Sequence, residues 1–130
     1  GENLIQNCGT FRYTTALAPP LCASALAALN LIESNPNWCK RLREKSLALR
    51  DRLCQIGWQR PAGGGPIISI ILGSDEVAMV YQKRLEEQGL LTVAIRPPTV
   101  PEGKSRLRLV IRRNTPVHAY ERLIKVLENK

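Results

Sequence analysis

The sequence predicts an α+β domain: a small, mainly antiparallel sheet with helices packed on one face. Three observations predict it. Leu91, Val93 and Ile95 alternate with Thr92 and Ala94. Leu107, Leu109 and Ile111 alternate with Arg106, Arg108, Val110 and Arg112. Segments with helical apolar spacing flank and separate these stretches. The 130 residues suit one compact domain that buries roughly two-thirds of its unfolded surface.

Taken in order, residues 1–16 read as irregular, and 1–18 as an extended segment able to reach a cofactor site or a partner subunit; 19–130 read as the folded domain. From Pro19, the residues Leu21, Cys22, Ala25, Leu26, Leu29, Leu31 and Ile32 make a helix that is apolar nearly all round. Such a helix must be buried on most sides, which implies a large interface with another domain or subunit. After Ser34-Asn35-Pro36, Trp38, Leu42, Leu49, Leu53 and Ile56 recur at helical spacing with charged residues between them, and Gly57 closes the helix. Trp58 and Gln59 suggest a short strand. Pro61 to Pro66 form a glycine-rich loop, read as a flexible turn because no Gly-Lys-Ser/Thr follows its three glycines.

Ile67 to Leu72 are rich in branched residues and read as a central strand. A helix follows, capped by Ser74 or Asp75, with Val77, Val80, Tyr81 and Leu85 as its buried stripe and Gly89 as its left-handed terminator. The strand at 91–95 stops at Pro97, which lacks a ladder donor, and a turn at Gly103 leads into the strand at 106–112. The last helix starts at Thr115-Pro116, a cap followed by proline, with Ala119 or Tyr120, Leu123, Ile124 and Leu127 inward.

Composition narrows the function. The net charge is +8, and arginine supplies 13 of the 19 basic residues. One Phe, three Tyr and two Trp are too scattered to form stacking platforms on a basic surface, so no nucleic-acid partner is expected. Cys8, Cys22, Cys39 and Cys54 show no paired metal or redox spacing and read as reduced, mostly buried thiols of a cytoplasmic protein. His118 is the only histidine, which argues against a multi-histidine zinc site or a Ser-His-Asp triad, and no metal site is expected. No apolar run reaches the ~18 residues a membrane span needs. Gly1 is not an initiator methionine, so the chain is expected to begin partway through a longer protein.

The alternation at 106–112 turns Arg108 away from the leucine face, beside the stiff loop after Pro97. A guanidinium there offers a fixed fork of donors suited to a carboxylate or phosphate. On a solvated sheet face, though, an arginine is ordinarily only a surface residue. Arg106, on the same face, suits a structural salt bridge.

Ala94-Ile95-Arg96-Pro97-Pro98-Thr99-Val100-Pro101-Glu102-Gly103, followed by Arg106-Leu107-Arg108-Leu109, resembles the C-terminal signature of the α-oxoamine synthases. Phe11-Arg12-Tyr13-Thr14-Thr15, ending at Pro19, resembles that family's earlier F-x-Y-[ST]-[ST]-x-x-x-P segment. The resemblance implies a pyridoxal 5'-phosphate-dependent acyltransferase that condenses an amino acid with an acyl thioester, works as a homodimer and has the fold-type I architecture. The Ile95-Arg96-Pro97 form is most similar to the biotin-pathway branch, which implies L-alanine, pimeloyl-CoA or pimeloyl carrier protein, and loss of carbon dioxide.

By the same resemblance, Arg108 would bind the amino acid's α-carboxylate, Arg96 the acyl chain's distal carboxylate or the thioester's phosphates, and Thr14 or Thr15 the cofactor phosphate from the neighbouring subunit. Thr99 would be an outer donor. The family's Schiff-base lysine lies upstream, and none of the six lysines here stands in its context. No catalytic residue is therefore expected in this chain, which is read as a C-terminal small domain without its catalytic large domain and inactive alone. Val110-Ile111-Arg112-Arg113-Asn114 departs from the family's smaller, less basic residues. The alternatives are a free-standing, non-catalytic module that binds a carboxylate through Arg108, and a basic nucleic-acid-binding domain.

Overall fold

The computed structural model describes residues 1–13 and 15–129, in two compact units, Gly1–Pro36 and Asn37–Lys130. The second unit is built on three strands, β1 (Ile67–Gly73), β2 (Val93–Ile95) and β3 (Ser105–Val110), in the order β1-β3-β2 with both pairings antiparallel. The period of two decides which side is dry. Ile68 and Ile70 lie opposite Leu109 and Leu107, and Ala94 lies opposite Leu107 on the other side. That face meets α4 (Asn37–Gln55), α5 (Asp75–Glu87) and α6 (Val117–Glu128), which bring Leu49, Leu53, Tyr81, Leu85, Leu123, Ile124 and Leu127 into one core. Each such leucine or isoleucine contributes about 1.5–3 kcal/mol when fully buried.

Local chemistry sets the helix ends. The Ser74 hydroxyl accepts from the Val77 N–H at 3.4 Å, the N-cap expected of it. At the other end Gly89 has φ +71°, and the Leu90 N–H reaches back to the Leu85 carbonyl at 2.9 Å.

The structure differs from the sequence reading at several points, each with a local cause. Trp58 and Gln59 form no strand. The Trp58 Nε1 instead donates to the Leu127 carbonyl at 3.0 Å, with its ring edge-on to Tyr81 at 5.7 Å, so the indole ties the end of α4 to α6. The buried stripe of α5 is Ala78, Tyr81 and Leu85, with Val77 and Val80 exposed, because the helix presents one narrow arc to a three-stranded sheet. Thr115 does not cap α6. Its hydroxyl accepts from the Arg112 N–H at 3.1 Å, which turns the chain out of β3 before residue 112. β2 begins only at Val93, and Leu91 is 90% exposed. No disulfide forms among the described residues, but Cys22 and Cys39 are exposed and Cys8 and Cys54 only half-buried, so the thiols are not mostly buried.

In the first unit the segment expected to be irregular holds two short helices, α1 (Glu2–Asn7) and α2 (Gly9–Arg12). Short-range bonds suffice for these, including Asn7 Nδ2 to Asn3 Oδ1 at 3.1 Å. Residues 15–18 are non-helical, and α3 (Pro19–Glu33) follows with prolines in its first turn. Every residue of α3 is exposed, Leu21 and Leu26 by 60% each. The burial that its composition demands is not supplied by the described residues.

Candidate functional site

Because Leu107 and Leu109 face the helices, Arg106, Arg108 and Val110 face outward from the central strand. Arg108 lies in register with Ser69 of β1 on one side and Val93 of β2 on the other. Its side chain is exposed, and it makes no hydrogen bond or ion pair among the described residues. A rigid strand holds its base while the guanidinium remains free for a ligand. Arg106 is half-buried between Ile71 and Ile95, with its Nε donating to the Lys104 carbonyl at 3.1 Å. The salt bridge expected of it is absent; the ion pair among the described residues is Arg60–Asp51.

The loop from β2 to β3 starts at Arg96, which is exposed one residue beyond the Ile95–Arg106 rung. The Thr99 N–H donates to the Arg96 carbonyl at 3.0 Å, and the Pro97–Pro98 peptide is cis. Gly103, at φ +71°, and a 3.1 Å bond from the Lys104 N–H to the Pro101 carbonyl return the chain to β3. The structure thus brings Arg96, Arg106 and Arg108 onto one hairpin, with Thr99 exposed in its loop. Thr15 is exposed and has no hydrogen-bond partner among the described residues; it belongs to the first unit. Thr14 lies outside the described residues.

One supporting residue escaped the sequence reading. Arg50, counted with the polar face of α4, is fully buried. Its Nη1 donates to the carbonyl and hydroxyl of Ser46, and its Nη2 to the carbonyls of Ala62 at 3.3 Å and Ile67 at 3.0 Å. The Ser46 hydroxyl in turn donates to the Gly65 carbonyl. Burial, and then the charge of Arg60, lower the Arg50 pKa from its ordinary value. The glycine-rich loop is therefore held at both ends rather than flexible. A serine four residues before an arginine, on the helix preceding a glycine run, is the signal that could have marked it.

The aminotransferase class I and II family model matches residues 3–127. The chain belongs to that family. Among its curated relatives are a putative 8-amino-7-oxononanoate synthase of Acetivibrio thermocellus, 43% identical over 120 residues, and an 8-amino-7-oxononanoate synthase of Lysinibacillus sphaericus, 36% identical over 124 residues. These alignments take in 92% and 95% of this chain but 30% and 31% of the relatives, so the chain spans about a third of their length. In fold it matches the solved 8-amino-7-oxononanoate synthase of Francisella tularensis (TM-score 0.80, 23% identity, 98% of this chain and 37% of that one). It also matches serine palmitoyltransferase of Sphingomonas wittichii (TM-score 0.81, 24% identity, 98% and 32%). Both are α-oxoamine synthases, the group that the two sequence motifs resemble. The α+β class-I/II fold, with its small antiparallel sheet, is the one the sequence predicts. Another solved neighbour, at TM-score 0.82 and 22% identity, is SPT with PLP.

Proposed function

We propose that this chain is the C-terminal domain of a pyridoxal 5'-phosphate-dependent acyltransferase of biotin biosynthesis, condensing L-alanine with pimeloyl-CoA or pimeloyl carrier protein with loss of carbon dioxide. One observation carries the reading: Arg108, on the central strand of a family-type domain, holds a guanidinium that nothing else among the described residues engages. A charged group left free on a rigid strand suits an arriving carboxylate, because a bidentate pair fixes the substrate's orientation as well as its position.

The cofactor fits this chain in part. The Thr15 hydroxyl, exposed and unengaged among the described residues, is a neutral donor of the kind a phosphate accepts. The described lysines, Lys40, Lys45, Lys83, Lys104 and Lys125, are all exposed, and none sits in the dry pocket that suits a covalently attached amine. When bound, pyridoxal phosphate supplies the electron sink for charge developing at the amino acid's α-carbon. This chain's part is to grip: Arg108 the α-carboxylate, Arg96 the acyl donor's distal carboxylate or its phosphates, and Thr14 or Thr15 the cofactor phosphate of a neighbouring subunit. The catalytic lysine belongs to a large domain, the assembly is a homodimer and the compartment is the cytoplasm. In support of a water-soluble setting, no helix among the described residues is long and apolar enough to cross a membrane.

The test is steady-state kinetics of the complete polypeptide with L-alanine and a pimeloyl thioester. Arg108→Lys keeps the charge but loses the planar fork, so KM for alanine should rise at least tenfold. An unchanged KM overturns the carboxylate role, and no product from the wild type overturns the substrate assignment.

A further inference from the structure

Beyond the hairpin arginines, the outer face of the sheet carries a cavity of about 290 Å³ at its β1 edge. Pro61, Ile67 and Ile71 give it an apolar lining, and Ser69, Arg60 and Arg106 its polar one. Their charges are not balanced. Arg60 is neutralised by its ion pair with Asp51, but Arg106 meets no carboxylate among the described residues. Arg50 is buried behind the same wall, since it donates to the carbonyls of the lining residues Ala62 and Ile67. Among the described residues it too has no carboxylate partner, and its buried Nε has no acceptor. The guanidinium of Arg106 thus stands beside one apolar hollow, where low polarity strengthens its field. The Ser69 hydroxyl, half-buried and without a partner among the described residues, adds a neutral donor.

We infer that this cavity is a binding site for a small organic carboxylate with an alkyl body, held at its charged end by Arg106 and Ser69 and along its chain by Pro61, Ile67 and Ile71. The volume lies at the small end of ligand pockets, which suits a short chain rather than a nucleotide. A bare inorganic anion would leave the isoleucine floor unused. The site is distinct from Arg108, which does not line it, and it does not depend on the proposed activity.

The experiment is calorimetric titration of the complete polypeptide with hexanoate, and separately with inorganic phosphate, in dilute salt so that the charges are not screened. Hexanoate should bind in the millimolar range, and more tightly than phosphate. Arg106→Gln should weaken hexanoate binding at least tenfold. Ile71→Glu provides a second variant at an exposed position: it places a carboxylate directly across the ladder from Arg106 and should abolish binding. Circular dichroism checks that both variants are folded. Phosphate binding as tight as hexanoate overturns the proposal, as does the absence of any hexanoate binding. Loss of binding in Arg108→Gln, with Arg106→Gln unaffected, also overturns it by placing the anion on the other arginine.

Discussion

The guanidinium of Arg50, inside α4, donates to the backbone carbonyl of Ile67, the first residue of β1, at 3.0 Å. That bond and its 3.3 Å neighbour to Ala62 fix where the glycine-rich loop delivers the chain to the sheet, and so the position of Ser69 opposite Arg108. Arg50→Met keeps the side chain's length but leaves the carbonyls of Ala62 and Ile67 and the Ser46 hydroxyl without their donor. The expected loss is about 3 kcal/mol of unfolding free energy, from several buried groups left unpaired at about 1 kcal/mol or more each. Urea unfolding measures it, and a midpoint equal to wild type would contradict the role.

Gly89 stands at φ +71°, where the left-handed backbone is closed to most side chains, and a Cβ there would meet Arg122 Nη1 at 3.4 Å. The Arg122 side chain is itself committed, with Nη1 donating to the Gln88 carbonyl. Gly89→Ala should therefore cost about 1 kcal/mol, and Gly89→Asn less, because asparagine tolerates this conformation. Thermal unfolding of the two variants ranks them; alanine as stable as glycine would show that the turn relaxes.

How much of this was legible beforehand depended on the range of the interaction. The alternation of Leu107 and Leu109 with Arg106 and Arg108 put the arginines on the outer face without any knowledge of partners, and the Ser74 cap and Gly89 terminator are set within a few residues. Arg50 was not legible as a buried residue. Its acceptors lie 12 and 17 positions away in a loop with no periodicity, and helical spacing assigns any arginine to the polar side. Trp58 was misread for the same reason, since its acceptor on Leu127 is 69 residues distant. Thr115 had two short-range uses open to it, and the demand of the Arg112 N–H at the end of β3 decided between them. For the candidate site, the motif marked Arg96 and Arg108, whereas the cavity beside Arg106 required the register that sets Ile71 opposite it.

Glu76 lies in the first turn of α5, where its carboxylate accepts from its own backbone N–H and then from the Ser74 hydroxyl; both lower its pKa below the ordinary carboxylate value. A carboxyl whose folded pKa is depressed contributes stability above its unfolded pKa, near 4.5, and that contribution disappears as pH falls through the lower folded value. Glu76→Gln should therefore be slightly less stable than wild type at neutral pH, with the difference closing below the ordinary carboxylate range. The side chain is exposed, so the effect is small. Unfolding midpoints of both proteins across an acid series measure it; a gap that widened toward low pH would reverse the assigned sign.

Arg108 should be dispensable for folding, which is what separates a ligand-binding arginine from a structural one. It is exposed, has no partner among the described residues, and lies on the face opposite the core, so Arg108→Ala removes no buried contact and strands no acceptor. Its unfolding free energy should stay within about 0.5 kcal/mol of wild type, as for surface substitutions in general. Arg50→Met, by contrast, should destabilise the same sheet while leaving the free guanidinium in place. If Arg108→Ala instead proved destabilising by several times that amount, the arginine would be holding the fold, and a loss of alanine binding in the complete polypeptide could no longer be ascribed to the carboxylate.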